Sequence, residues 1–270
     1  MIVKNEEHCL ARCLDSVQGA VDEICIVDTG STDETANIAR AYGAKVRHVP
    51  WNGRFDDARN ASLDMATSDW VFVLDADERL VSLHGQKIRH LSQMAPPQMQ
   101  AAFFFCISST PDGTDESAVL RMFRRLPHIR FEGRIHEEVG LTVQRAGGHI
   151  AQTPITFIHE GYTQKFVDLK DKWVRNEAML LQEDEERPGL VMSQYNLGHH
   201  FLIKGDKERA KPYLEKALQL ADPSHLFYGR LIVEAQMTGI LVGGVPNVHL
   251  WPADPMRMGL APDPLERKAS

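Results

Sequence analysis

Three carboxylates crowd the end of the stretch DWVFVLDADERL, residues 69–80: Asp75, Asp77 and Glu78 follow an apolar run, with only Ala76 among them. If a strand continues through them, residues two apart point the same way, and Asp75 and Asp77 aim at one point. Two hard oxygen donors at one point suit Mg²⁺ or Mn²⁺, which draw their other ligands from phosphate and water. An ion held there would neutralise a diphosphate leaving group as a Lewis acid. The competing reading is a solvated turn at a strand end, and for an isolated D-x-D it is the commoner one. A second polar loop, DTGSTD at residues 28–33, bears on the choice. Asp28 is placed to accept hydrogen bonds from a nucleobase or ribose, and Gly30 lets the backbone turn tightly beside a ligand. Ser31 and Glu34 have capping-box spacing, which starts the next helix but gives no reason for Asp28.

Both loops follow compact apolar segments. MIV (1–3), EICIVD (23–28), AKVRHV (44–49) and WVFVL (70–74) read as strands. Between them, EEHCLARCLDSV (6–17), STDETANIARAYG (31–43, stopped by Gly43) and DDARNASLDMA (56–66) carry apolar residues at helical spacing. Strand and helix in alternation imply right-handed crossovers and a mostly parallel sheet flanked by helices. Such sheets bind ligands at the carboxyl ends of their strands, where KNEE, DTGSTD and DADE fall. Further strands are expected at AAFFFCIS (101–108), AVLRMF (118–123) and ITFIHEG (155–161).

From about residue 166 the pattern is helical. Residues 193–223 resemble one tetratricopeptide (TPR) repeat, with Leu197, Gly198, Phe201, Ala210, Leu214 and Ala217 at its small and large apolar positions, Pro223 at its close, and Gln194 where a Trp is usual. One repeat cannot bury its own face, so it must pack on neighbouring helices or on a partner protein. SHLFYGRLIVEAQMTGIL (224–241) reads as a following helix, and residues 243–270, rich in Pro and Gly, as a loosely ordered tail. The chain of 270 residues has a formal charge of -7, which argues against a nucleic-acid binder. No apolar run is long enough to span a bilayer, and the N-terminus carries no secretory h-region. Cys9, Cys13, Cys25 and Cys106 lack the spacing of a metal site and read as buried thiols, consistent with a reducing cytoplasm.

Four ordered segments, MIVKNEE, VDEICIVDTGSTDETANIARAYGAKV, ARNASLDMATSDWVFVLDADE and IRFEGRIHEEV, resemble the family 2 glycosyltransferases of the GT-A fold, and the branch in which TPR-like helices follow the catalytic domain. The resemblance implies a catalytic domain over 1–165 and a helical region over 166–242. It implies a nucleotide-diphosphate sugar donor, often a uridine one, and a Mg²⁺ or Mn²⁺ cofactor. Val3, Lys4, Asn5 and Glu6 would line the nucleotide and Asp28 would face the base, with Gly30 beside it. Asp75, Ala76 and Asp77 would form the D-x-D, Asp77 being the more direct metal ligand. Arg54 would be a basic group near the nucleotide, with Arg59 and Asn60 structural or orienting. The family usually carries more residues before MIVKNEE, so a short first strand is expected. Inverting displacement needs a base near the acceptor, and the GRIHE segment resembles an active-site wall: Glu137 is the first candidate and Glu138 the second. On a strand, Glu132, Arg134 and His136 would share one face. His159, before a Gly-Tyr pair, is a candidate third metal ligand. Arg121, Arg124 and Arg125 could face diphosphate or simply line a strand edge. His199 and His200 read as structural.

Other classes fit less well. A nucleotidyltransferase would carry a glycine-rich phosphate loop after the first strand, where IVKNEEHC has no glycine. An aspartyl phosphatase would place Thr or Val shortly after its D-x-D, where this chain has DADER. The non-enzyme alternative is a degenerate sheet joined to an interaction module. The sugar, the acceptor (saccharide, lipid or peptide) and the linkage are not legible.

Overall fold

A computed structural model describes residues 1–110, 113–160, 166–225 and 227–240; the stretch 243–270, expected to be a loose tail, lies outside them. Two sheets form. In the first, β1 (Ile2–Val3), β2 (Cys25–Asp28) and β3 (Lys45–His48) run parallel in the order β1-β2-β3, with Val3 opposite Asp28. The crossovers are α1 (Leu10–Ser16) and α2 (Thr35–Ala41). Helix α1 serves both sheets: Leu10 and Leu14 pack with Val3, Ile26 and Ala39, while Cys13 joins Leu74, Leu80 and Phe104. Helix α2 ends as its Gly43 requires, at φ +74, with Ala44 N–H returning to the Ala39 carbonyl at 3.1 Å.

After α3 (Phe55–Leu63), the strand expected to extend the parallel sheet joins the second sheet instead. There β4 (Trp70–Phe72) is antiparallel to β7. This sheet has the order β4-β7-β6-β8-β5, with β5 (Glu78–Leu80), β6 (Met99–Thr110), β7 (Gly113–Arg124) and β8 (His149–His159). Only β6 and β8 are parallel in it, because β6 and β7 are hairpin neighbours and β5 pairs antiparallel with β8. Helices α4 (His84–Met94) and α5 (Gly140–Arg145) pack on it, α4 against β8 and α5 against β6 and β8. So the architecture is α/β, as expected, but parallel pairing dominates only its first half.

Among the described residues four helices follow: α6 (Phe166–Glu186), α7 (Val191–Ile203), α8 (Lys207–Leu220) and α9 (Tyr228–Met237). Leu197, Phe201, Ala210, Leu214 and Ala217 form the α7–α8 contact, closed on either side by Met179 and Leu180 of α6 and Leu231 of α9. The apolar face that a lone repeat would leave open is therefore covered within the chain. Gln194, in place of the usual Trp, is 1% exposed and donates to Asp184 of α6. This core does not stop at the helices. It takes in Ile135 and, at its edge, Phe55, both from the α/β part. No helix among the described residues is long and apolar enough to cross a membrane. All four cysteines are free thiols, and burial pushes Cys9 up to about 12.

Candidate active site

The loops after β1 and β2 are stitched to each other. Asn5, at φ 57, uses its Oδ1 to accept from Thr32 N–H (2.8 Å), and its own N–H donates to Ser31 Oγ (3.0 Å). Glu6 N–H donates to Thr35 Oγ1 (2.7 Å), and Glu34 N–H to Glu7 Oε2 (3.0 Å). Lys4 and Asn5 are exposed and Glu6 half-buried, whereas the Val3 side chain is core. The capping box expected at Ser31 and Glu34 does not form. Ser31 is taken by Asn5, and Asp33 Oδ1 accepts Thr35 N–H (3.0 Å) at the helix start. Asp28 turns out to have a local task after all: its Oδ1 accepts from Gly30 N–H (3.2 Å) and Ser31 N–H (2.9 Å), folding the loop around Gly30 at φ +114. Burial opposes the Asp28 charge, but the Ser31 and Gly30 donors outweigh it and hold the carboxyl below its ordinary value. Its Oδ2 lies 3.6 Å from His48 Nδ1.

The DADE segment is a turn, not a continued strand: β4 stops at Phe72, and Glu78 N–H returns to the Asp75 carbonyl at 3.1 Å. The two-residue alternation therefore does not apply, and the two aspartates have different partners. Asp75 Oδ1 takes Arg59 Nη2 at 2.6 Å and its Oδ2 faces Arg121 at 3.5 Å. Although burial works against its charge, these guanidiniums hold Asp75 well below the usual carboxylate range. Glu78, 4% exposed, accepts Asp75 N–H (2.9 Å) and pairs with Arg121, so it is the buried support of the turn; burial pushes its carboxyl up. Asp77 instead meets His159, Oδ2 to Nε2 at 3.2 Å, because β5 pairs with β8 at Glu78 and His159. The hydrogen bond to Asp77 raises the His159 pKa. Ala76 does not offer its side chain to a ligand; its methyl packs with Val3, Cys9 and Leu10.

A carboxylate and an imidazole side by side, next to a loop rich in oxygen donors, fit a divalent ion completed by phosphate and water. With both of its oxygens facing arginines, Asp75 fits that role less directly than Asp77. Glu6, His8 and Cys9 also have ligand atoms within 4.8 Å of one another, with Cys9 Sγ donating to Glu6 Oε2 at 3.2 Å.

Arg59 links this turn to the segment FEGRIHEEV. It is 7% exposed, and its Nε reaches Glu137 Oε1 at 2.9 Å. Asn60 fixes the same segment by a reciprocal pair, Nδ2 to the Phe131 carbonyl and Phe131 N–H to Oδ1, both 3.0 Å. The segment is a closed loop and not a strand. Glu132 and Glu138 exchange backbone hydrogen bonds at 3.0 and 3.2 Å, and Gly133 (φ +121) and His136 (φ 56) turn the chain between them. Glu132, Arg134 and His136 consequently do not share a face: Glu132 pairs with Arg145, Arg134 is buried, and His136 is exposed. Burial and the nearby Glu132 push Glu138 up to about 7, in a cleft that it lines with His136, Leu141, Glu183 and Asn196.

Two expectations for basic residues change. Arg54 binds Asp56 with Nε (3.0 Å) and Nη2 (2.7 Å) and reaches Glu186 of α6 at 3.1 Å, so its charge is committed at the helical junction. The cluster Arg121, Arg124 and Arg125 is divided. Arg121 lies at Asp75 and Glu78, over the Phe157 ring. Arg124 donates to the Met99 carbonyl and Arg125 to those of Ser68 and Thr67. His199 pairs with Glu234 (3.0 Å) and His200 packs on Phe201.

Residues 1–82 match the family model "Glycosyl transferase family 2". The matched stretch runs from β1 through β5 and so contains Asp28, Asp75 and Asp77 but neither Glu137 nor His159. A TPR repeat-containing protein of Synechococcus elongatus is 33% identical over 83% of this chain and 56% of its own length. The prophage-derived glycosyltransferase SunS of Bacillus subtilis is 29% identical over 81% of this chain and 52% of its own. The chain thus spans about half the length of these relatives. A solved mycobacterial protein shares the fold, with a TM-score of 0.50 at 21% identity, over 68% of this chain and 72% of that one.

Proposed function

We propose that the chain is a metal-dependent inverting glycosyltransferase that takes a sugar from a nucleotide-diphosphate donor, a UDP-sugar in the first instance, to an acceptor hydroxyl, thiol or amine. The observation that carries this reading is the placement of Asp77 with His159 beside a turn whose other aspartate shares one guanidinium with Glu137. The family match over residues 1–82 supports it.

In this reading the two stitched loops hold the nucleotide, with Asn5, Glu6 and the Asp28 loop at the base and ribose. Asp77 and His159 hold Mg²⁺ or Mn²⁺, which when bound neutralises the departing diphosphate. Arg59 Nη1 is buried without a hydrogen-bond partner among the described residues. Arg59 keeps Oε1 of Glu137 in place, and Oε2 takes the proton of the acceptor nucleophile. The nucleophile bonds to the anomeric carbon as the carbon–phosphate oxygen bond breaks, so the configuration inverts and the nucleotide diphosphate leaves. Glu138 is the second candidate for the base, by virtue of its raised pKa.

One observation favours the alternative of a degenerate interaction module: both Asp75 oxygens face arginines. A thermal-shift titration with UDP separates the two. The enzyme reading expects UDP to raise the Tm only with Mn²⁺ or Mg²⁺ present, by ligand linkage, and Asp77→Ala to abolish the shift. No shift, together with no UDP released from UDP-sugars, sinks it.

A further inference from the structure

The loop that carries Glu137 is held from two sides, and only one of them is the α/β part. Arg59 and Asn60 hold it from α3. On the other side, Glu183 of α6, 1% exposed, accepts the main-chain N–H of Arg134 at 3.0 Å. The Arg134 guanidinium donates to the Gly53 carbonyl (2.8 Å) and pairs with Glu186 (2.5 Å). Its carbonyl accepts Phe55 N–H at the start of α3 (2.9 Å). Ile135, the next residue, is 5% exposed and belongs to the buried core that Met179, Leu180, Tyr195 and Leu197 of α6 and α7 help to form. A loop of seven residues closed by its own Glu132–Glu138 bridge has little freedom once Arg134 and Ile135 are fixed.

We propose that Glu183 and Ile135 make the helical region the positioning wall of the catalytic loop, so that α6 and α7 set where the Glu137 carboxylate stands. Glu183 touches no reacting atom in this role; it acts through the Arg134 main chain. The proposal rests on the reading of Glu137 as base. It has a physical basis independent of that chemistry, because a buried carboxylate on a backbone N–H makes a charge-assisted hydrogen bond that apolar contacts cannot replace. Catalytic geometry is sensitive to displacements of about 1 Å, so loosening such a support lowers turnover more than donor binding.

The test uses the full chain with UDP-glucose and Mn²⁺, reading UDP release alongside hydrogen exchange. In Glu183→Ala, the amides of residues 134–138 exchange at least tenfold faster than in wild type, while those of β2 keep their rate. The kcat for hydrolysis falls at least tenfold with the donor KM within twofold. Glu183→Gln retains an acceptor oxygen and restores kcat to within threefold of wild type. Ile135→Val, which removes one methyl group and should fold, speeds exchange at 134–138 severalfold. Ile88→Val, the same methyl deletion in a separate core under the second sheet, leaves both the loop amides and kcat unchanged. Unchanged exchange at 134–138 in both Glu183→Ala and Ile135→Val overturns the proposal, as does an Ile88→Val defect equal to theirs. If wild type releases no UDP, the enzyme reading fails, and the exchange data still decide whether the helices hold the loop.

Discussion

Arg59 Nη2 lies 2.6 Å from Asp75 Oδ1, and through its Nε the same guanidinium holds Glu137 at 2.9 Å. One buried cation therefore joins a turn at the end of β4 to a loop some sixty residues later in the chain. Removing one partner of a buried ion pair leaves uncompensated charge and costs about 3–5 kcal/mol. Arg59→Ala is accordingly expected to lower unfolding stability by about that amount in urea titration. Arg59→Lys supplies a point charge in place of a planar fork and cannot serve both carboxylates, so it recovers only part of the loss. Wild-type stability in Arg59→Ala would show that the bridge is not formed.

His159 and Asp77 face each other at 3.2 Å with partly exposed side chains. If they ligate one ion, removing the imidazole weakens Mn²⁺ binding by about 10–100-fold, on the scale seen when groups around a metal are lost. Asp77→Asn should weaken it further, and Asp75→Asn less, because Asp75 is tied to Arg59 and Arg121. Mn²⁺ titration followed by electron paramagnetic resonance ranks the three variants. Asp75→Asn as the most damaging would reverse the assignment.

Glu23 marks a pH dependence away from the site. It accepts from Thr67 N–H (2.6 Å) and Ser68 N–H (2.7 Å) and pairs with Lys45 (2.5 Å). Burial opposes its charge, but these donors win and pull its pKa down to about 2. A depressed folded-state pKa adds stability above the unfolded value, near 4.5, and that stability is lost as pH falls toward 2. With solvent screening taken into account, the contribution at pH 7 is about 1–2 kcal/mol. Glu23→Gln should be less stable than wild type at pH 7 and indistinguishable near pH 2. A pH-independent difference would assign the effect to packing.

Much of this was legible in the sequence for a definite reason. The segments flanking the donor loops are short, apolar and punctuated, so β1, β2, α2 and β3 could be placed from local pattern alone, with Gly43 and Gly30 at turns that need positive φ. What escaped depends on contacts distant along the chain. Whether WVFVL extends a parallel sheet or pairs with β7 is decided by β7 itself, some fifty residues on. The DADE turn folds back because the buried Glu78 caps Asp75 N–H; Asp75 and Glu78 have the spacing of a capping box, but it closes a turn at a strand end where no helix follows. The resemblance puts Arg54 near the nucleotide, whereas its guanidinium binds Asp56, two residues on, and Glu186, which lies in another part of the fold. The closed shape of FEGRIHEEV could have been suspected from Gly133, but His136 at φ 56 gives no sign in its residue type. Arg59 was legible only as an orienting residue; its two partners lie 16 and 78 positions away.

Gly198 offers a sharp test of how α7 meets α8. A Cβ added there would lie 2.6 Å from both Cγ and Cδ2 of Leu214 and 3.2 Å from the Leu214 nitrogen. The two helices approach at a point where any side chain must displace a fully buried leucine or its backbone. Gly198→Ala gains intrinsic helix propensity of up to about 1 kcal/mol. Overpacking a tight core typically costs about 1–3 kcal/mol, so the net change is expected to be destabilising. Leu214→Ala alone should cost about 2–5 kcal/mol through the cavity it leaves. In the double variant the new methyl group occupies part of that cavity. Its loss should therefore be smaller than the sum of the two single losses, a coupling that a double-mutant cycle in urea reads directly. Additive losses would mean that the methyl group and Leu214 do not compete for the same space, and that the α7–α8 approach is looser than 2.6 Å implies.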